Sequence, residues 1–170
     1  MKLTNALAVS VFLMTIPTVC IAQEKWSDDC SQPINEPLLA RGCAVLDEFM
    51  KTLNARDVGG WADTLNYPHV RLAAGEVSVW NSAQDLRSST DLAQFAAANQ
   101  GWIRSAWDWR RLVQKSPDKL HFLVQFTRYG EADRKIASFE SLYIITLKDG
   151  HWGVQSRSTF AGISVRGSPL

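Results

Sequence analysis

Hydrophobic residues near the start of the chain recur at spacings of three and four, which predicts an amphipathic α-helix over residues 38–55. The apolar positions of this helix are Leu38, Leu39, Cys43, Val45, Leu46, Phe49, Met50 and Leu53. The run Asp57-Val58-Gly59-Gly60 ends it. Trp61, Ala62 and Leu65 then indicate a short second helix that ends at Pro68.

After Pro68 the pattern changes to a period of two, which is typical of strands. Residues 69–74 and 76–80 alternate on either side of Gly75, so they predict a β-hairpin. A third helical stretch follows over residues 83–99. Its candidate N-caps are Asn81 and Ser82, and residues 88–90 are a candidate break before a second N-cap, Asp91.

The rest of the chain alternates in longer runs that turn residues separate. The predicted strands cover residues 102–114, 119–129, 135–147 and 151–160. Lys148-Asp149-Gly150 is the strongest hairpin signal in the sequence. Helices followed by long strands predict an α+β fold, in which a strongly curved, mostly antiparallel sheet wraps around the N-terminal helices. Such a cone encloses a natural pocket for a small molecule.

Residues 1–22 have the pattern of a signal peptide, with Lys2, an apolar run and small residues before a cleavage point after Ala22. Cleavage implies a secreted or periplasmic protein without stable membrane insertion. The alternatives are an uncleaved anchor and a lipoprotein acylated at Cys20. The remaining chain divides into an irregular arm (23–37), one domain (38–162) and a C-terminal tail (163–170).

Charge and cysteine content narrow the possible partners. The 18 Lys and Arg residues and 17 Asp and Glu residues leave a formal charge of +1, without the basic excess that nucleic-acid binding requires. After signal cleavage two cysteines remain, Cys30 and Cys43, and an oxidising compartment favours a disulfide between them. Two separate buried thiols are the alternative, whereas a metal site lacks a C-x-x-C or a neighbouring His.

Two motifs and the order of elements resemble the nuclear transport factor 2-like, or SnoaL-like, superfamily. The motifs are Tyr67-Pro68-His69-Val70-Arg71, which leads into the first hairpin, and Gly150-His151-Trp152, which opens the last strand. The resemblance covers about residues 38–162 and implies the cone fold. Its members include ketosteroid isomerases, scytalone dehydratase, limonene epoxide hydrolase and non-catalytic binding or dimerisation modules, so the fold alone does not select a function.

His69 and Arg71 are the best candidates for chemistry because two residues apart on a strand point to the same face. A histidine exchanges a proton near neutral pH, and an arginine holds a carboxylate, enolate or other oxyanion. The structural alternative is a His69 that bonds to the backbone and an Arg71 that forms a cross-strand ion pair. Tyr67 is a candidate to polarise an oxygen of the ligand.

Two carboxylates in apolar strands are further candidates. Glu140 lies in Phe139-Glu140-Ser141, where burial would raise its pKa and suit it to act as a general base. Asp108 lies between Trp107 and Trp109, and pairing with an arginine is its alternative role. Trp107 and Trp109, on one side of a strand, would line a pocket or form a dimer contact, and Trp80 is also a candidate ligand contact.

No nucleophile elbow, phosphate-binding loop, dinucleotide-binding or zinc-protease motif is present in the sequence. We therefore expect no cofactor. Both faces of the last strands carry apolar residues, which indicates a homodimer. The sequence predicts an exported protein that binds a small, partly apolar molecule, either as an isomerase or lyase using acid–base chemistry or as a non-catalytic binding or assembly module.

Overall fold

The structure is a computed structural model that describes residues 29–32 and 34–161. The described residues form four α-helices and six strands, with a short 3-10 turn at Glu131–Asp133. The helices are α1 (Pro37–Asn54), α2 (Val58–Asp63), α3 (Ala83–Ser89) and α4 (Leu92–Ala98). The strands are β1 (Leu65–Ala73), β2 (Glu76–Trp80), β3 (Arg104–Ser116), β4 (Lys119–Tyr129), β5 (Lys135–Lys148) and β6 (His151–Thr159).

Side-chain caps fix where the helices begin. Glu36 accepts the backbone N–H of Leu39 at the start of α1. Ser82 and Asp91 cap α3 and α4 separately, so the predicted break between two helices is confirmed. Both Ser82 and Asp91 have extended backbone angles, which lets their side-chain oxygens reach the first free N–H groups of the helix.

The six strands form one curved, open sheet in the order β2-β1-β6-β5-β4-β3. Neighbours are antiparallel except β1 and β6, which are parallel. Two-residue turns with positive φ, Ala74-Gly75 and Asp149-Gly150, close the hairpins β1–β2 and β5–β6. The predicted fold, a mostly antiparallel curved sheet with the helices against it, is confirmed.

The predicted end of the second helix at Pro68 is wrong. Helix α2 ends at Asp63, and Leu65 already belongs to β1, which continues through Pro68. The register between β1 and β6 skips from Leu65 to Val70, so Pro68, which has no N–H to donate, lies in the irregular part of the strand. The Tyr67–Pro68 peptide bond is cis.

The hydrophobic core lies between α1 and the inner face of the sheet. Its buried residues on α1 are Leu39, Cys43, Leu46 and Phe49, and its buried residues on the strands are Leu65, Leu112, Leu120, Phe122, Val124, Tyr143, Ile145 and Val154. At positions 120, 122, 124 and 126 of β4 every second residue is buried, as expected of a strand with one face on the core.

Cys30 and Cys43 form a disulfide, as predicted. The backbone N–H of Cys30 also donates to the carbonyl oxygen of Arg110 at 3.0 Å, and Asp29 pairs with Arg111 on β3. The end of the arm is therefore joined to both α1 and the edge strand β3.

The prediction that Trp107 and Trp109 share one side of β3 is wrong, because the register of β3 shifts between these two residues. Trp107 packs against the core and donates from Nε1 to the carbonyl oxygen of Leu46 on α1, at 3.3 Å. The guanidinium carbon of Arg111 lies 5.1 Å from the ring centroid of Trp109, and Trp109 is outside the core clusters. The extra residue at the bulge reverses the alternation of faces.

The predicted signal peptide (1–22) and C-terminal tail (163–170) lie outside the described residues. Across residues 29–32 and 34–161, no helix has the length and apolar character needed to cross a membrane.

Candidate functional site

A cavity of about 390 Å³ lies between the helices and the inner face of the sheet. Small-molecule sites typically measure about 300–1,000 Å³. Its wall combines aromatic and aliphatic side chains with three arginines. The apolar residues of the wall include Phe49, Leu53, Trp61, Trp80, Phe95 and Phe126. The cone predicted from the sequence is thus hollow, and large rings line it without filling it.

Arg71 from β1, Arg128 from β4 and Arg157 from β6 line this cavity together. Arg71 and Arg157 are register partners across the parallel strand pair, so both side chains lie on the inner face. Arg128 is 6% exposed and Arg157 is 9% exposed. Among the described residues, no carboxylate oxygen lies within 4.0 Å of any of the three guanidinium groups.

Aromatic rings and neutral acceptors hold Arg128 in place. Its guanidinium carbon lies 4.9 Å from the ring centroid of Phe95 on α4 and 5.0 Å from that of Phe139 on β5. Its Nη1 donates to the side-chain oxygen of Asn99. Cation–π contacts are stronger in desolvated sites such as this one. The side chain is therefore fixed in direction although its charge is not neutralised.

Arg157 and Arg71 are held in a similar way. The guanidinium carbon of Arg157 lies 5.2 Å from the ring centroid of Phe49 and 5.5 Å from that of Trp61. Its Nε is buried and has no hydrogen-bond acceptor. Arg71 donates from Nη2 to the carbonyl oxygen of Ala161 at 2.9 Å. Since a guanidinium has five N–H donors, each group keeps donors for a ligand.

The three charges affect one another. Burial, followed by the charge of Arg157, lowers the pKa of Arg71 to about 10. Burial, followed by the charges of Arg71 and Arg157, lowers the pKa of Arg128 to about 10. A group with a pKa near 10 still carries its proton at neutral pH. The cavity therefore has a concentrated positive charge at neutral pH.

His69 is fully buried and is not among the residues that line the cavity. Its Nδ1 must donate to the carbonyl oxygen of Val154, 2.9 Å away, because a carbonyl only accepts. Its Nε2 is then an acceptor, and it is buried without a partner. Burial, with the charges of Arg157 and Arg71, lowers the pKa of His69 to about 3. His69 is thus neutral at physiological pH.

Of the predicted site residues, Arg71 and Trp80 lie in the cavity wall. Glu140 is exposed on β5, and because it is three residues from Tyr143, which lines the cavity, it lies on the opposite face of the sheet. Its expected burial is therefore wrong. Tyr67 donates its hydroxyl to the carbonyl oxygen of Ala62 at 2.8 Å and does not reach the cavity.

Asp108 and Trp109 are also outside the cavity wall. The side chain of Asp108 is at the bulge of β3, where Oδ2 accepts the hydroxyl of Thr127 at 2.8 Å. The alternative role predicted for Asp108 is an ion pair with an arginine, and among the described residues Asp108 forms no such pair.

Sequence reasoning missed Arg128 and Arg157. A signal for Arg128 exists, because it continues the alternating series 120, 122, 124 and 126 that forms the buried face of β4. A charged residue at the next inner position is unusual and points to a site. Arg157 could not be predicted from the sequence, because strict alternation from Val154 places residue 157 on the outer face. A register irregularity between Val154 and Ser156 of β6 brings its side chain to the inner face instead.

Solved structures identify this architecture. A nuclear transport factor 2-like protein from Cytophaga hutchinsonii matches 72% of this chain and 96% of its own, with 17% identity and a TM-score of 0.54. This chain has the nuclear transport factor 2-like fold. ActVI-ORFA from Streptomyces coelicolor shares the fold at 17% identity and a TM-score of 0.56, over 73% of this chain and 96% of its own.

A ketosteroid isomerase-like protein from Erwinia carotovora atroseptica has the same nuclear transport factor 2-like fold. It is 16% identical over 75% of this chain and 97% of its own, with a TM-score of 0.53. No protein-family model and no curated protein matches the sequence. At these identities the nuclear transport factor 2-like fold is established, and the function must be argued from the site.

Proposed function

We propose that this protein binds a small, partly apolar molecule in the cavity between its helices and its sheet. The observation that supports this function is the cavity of about 390 Å³, in which aromatic side chains surround a few convergent polar groups. Ligand sites generally have this composition, because apolar walls supply binding energy and a few polar groups fix the orientation.

The composition of the wall favours binding without turnover. The acid–base reaction expected from the sequence needs His69 or Glu140 beside the ligand, and neither lines the cavity. The only carboxylate in the described wall is Asp91, whose Oδ1 accepts the backbone N–H groups of Ala93 and Gln94. A solved neighbour named ketosteroid isomerase-like makes an isomerase the second candidate.

Export and dimerisation are parts of the same proposal. The Cys30–Cys43 disulfide supports an oxidising, extracellular or periplasmic location. Mass spectrometry of the protein recovered from the exported fraction tests this, and we expect an N-terminus at Gln23. The homodimer stays a prediction, which analytical ultracentrifugation of the mature protein tests.

A neutral dye tests the cavity independently of charge. We expect Nile red to gain fluorescence with the native protein and to lose most of that gain with Ala98→Phe, because Ala98 lines the cavity and its side chain is exposed. Ala93→Phe is the matched control, since Ala93 is exposed on the same helix but does not line the cavity. Equal dye binding by both variants and the native protein would reject the cavity as the site.

A further inference from the structure

We infer that the ligand is an organic acid, with an apolar body against the aromatic wall and a carboxylate held by Arg71, Arg128 and Arg157. This inference rests on the proposed function and specifies its ligand class. Three arginines from three strands line one cavity, and no carboxylate of the described chain lies within 4.0 Å of their guanidinium groups.

Buried cations without partners are unfavourable in a folded protein, because the low dielectric strengthens their repulsion and removes their hydration. Arg128 and Arg157 are at least nine-tenths buried. Surface arginines of this chain find carboxylates, as Arg87 does with Asp63 and Arg104 with Asp133. Within the described residues, the arginines of the cavity contact aromatic rings and neutral oxygens instead. An anionic ligand would supply the missing charge.

Asp91, the acidic residue of the described cavity wall, does not supply the missing negative charge. Asp91 is exposed at the N-terminus of α4, and its Oδ1 already accepts the N–H groups of Ala93 and Gln94 at 2.9 and 2.8 Å. In contrast, the Nε of Arg157 is a buried donor with no acceptor. A carboxylate accepts two parallel N–H bonds from one guanidinium, so its geometry matches these free donors.

The wall beside the arginines specifies the rest of the ligand. Phe49 and Trp61 contact Arg157 through their rings and also line the cavity. An acid whose carboxylate reaches Arg157 therefore places its adjoining carbon atoms against these two rings. Trp80 and Leu53 extend the apolar wall. Aromatic and aliphatic carboxylic acids fit this division into a charged end and an apolar end.

Matched pairs of acids and amides test the inference. Cinnamate and cinnamamide, and octanoate and octanamide, differ in charge but little in shape. Binding at neutral pH is followed by quenching of tryptophan fluorescence. We expect the native protein to bind at least one acid about tenfold or more tightly than its amide. A hydrogen bond between charged groups in a buried site contributes a binding free energy that corresponds to a difference of about this size.

Arg157→Met tests which residue carries the preference, because methionine retains much of the volume but not the charge. We expect it to lower the acid affinity by about tenfold or more and to change the amide affinity less than about twofold. Arg41→Met is the matched control, because Arg41 is exposed on α1 and does not line the cavity. Should Arg157→Met not fold, Arg71→Met replaces it with the same expectation.

The outcomes separate the two proposals. Equal affinity for acid and amide in both pairs overturns the organic-acid inference and leaves the binding cavity standing. An acid preference that survives in Arg157→Met, or in Arg71→Met where that variant replaces it, places the anion elsewhere and also overturns the organic-acid inference. Failure of all four probes to bind, together with failure of Nile red, rejects the proposed function itself.

Discussion

Arg71 and Arg157 lie directly opposite each other on the parallel strands β1 and β6, two positive charges on the inner face of one sheet. Like charges in opposed positions destabilise a sheet. The Nε of Arg157 is buried and has no hydrogen-bond acceptor among the described residues. We therefore expect the repulsion between Arg71 and Arg157 to lower the stability of the ligand-free protein.

The first prediction concerns the stability of the ligand-free protein. We expect Arg157→Met to leave the free energy of unfolding unchanged or to raise it by up to about 4 kcal/mol, as when buried charges are replaced by apolar groups of similar volume. Urea denaturation measures this. Arg41→Met on the exposed surface should change the same quantity by less than about 0.5 kcal/mol. A loss above about 2 kcal/mol in Arg157→Met would show that the charge supports the fold.

The second prediction concerns acid stability and His69. Its folded pKa of about 3 lies below the ordinary value of 6.5, so the unfolded chain binds the proton more readily. The stability linked to His69 is complete above about pH 6.5 and falls as the pH decreases toward 3, by up to about 1.4 kcal/mol per pH unit.

His69→Asn separates this effect from the titration of carboxylates, because asparagine can still donate to Val154 but does not titrate. We expect its free energy of unfolding to fall less steeply than that of the native protein between pH 6.5 and 4. Parallel curves for the two proteins would mean that His69 is not buried in its neutral form.

The third prediction concerns the disulfide. Cys30 and Cys43 are 13 residues apart in sequence, and the bond restricts the unfolded chain by roughly 3 kcal/mol in the entropic description. We therefore expect a reducing agent to lower the melting temperature of the mature protein. A Cys30→Ala, Cys43→Ala double variant should melt at the lower temperature with or without reductant. An unchanged midpoint for the reduced native protein contradicts the expectation.

The fourth prediction concerns the close approach of α1 to the sheet at Gly42. A Cβ atom at Gly42 would overlap Cε2 of Phe122, a side chain that is fully buried. We expect Gly42→Ala to lower the free energy of unfolding by about 1–3 kcal/mol, because the added methyl group overpacks a ring that is fully buried in the core. At Gly59 the nearest atom would be 3.4 Å away, so Gly59→Ala should not be destabilising. Equal stability of the two variants in calorimetry would refute the close packing.

Local patterns were sufficient for most of the elements. The break between α3 and α4 follows from Asp91, whose side chain caps a new helix, and the β5–β6 hairpin follows from Asp149-Gly150. The prediction that the second helix ends at Pro68 is wrong, because the pairing of β1 with β6 outweighed the local helical tendency of residues 64–67. That pairing joins residues far apart in sequence, so no local signal reports it.

The sequence by itself determined the order of helices and strands, the curved α+β sheet and the Cys30–Cys43 pairing, since each depends on periodicity, turn residues or cysteine content. Only the tertiary structure decided that Arg128 and Arg157 join Arg71, and that Glu140 and Asp108 do not. The reason is that strand bulges and the parallel pairing of β1 with β6 set which side chains share the inner face. Bulges and strand pairing arise from contacts between strands, and not from neighbouring residues.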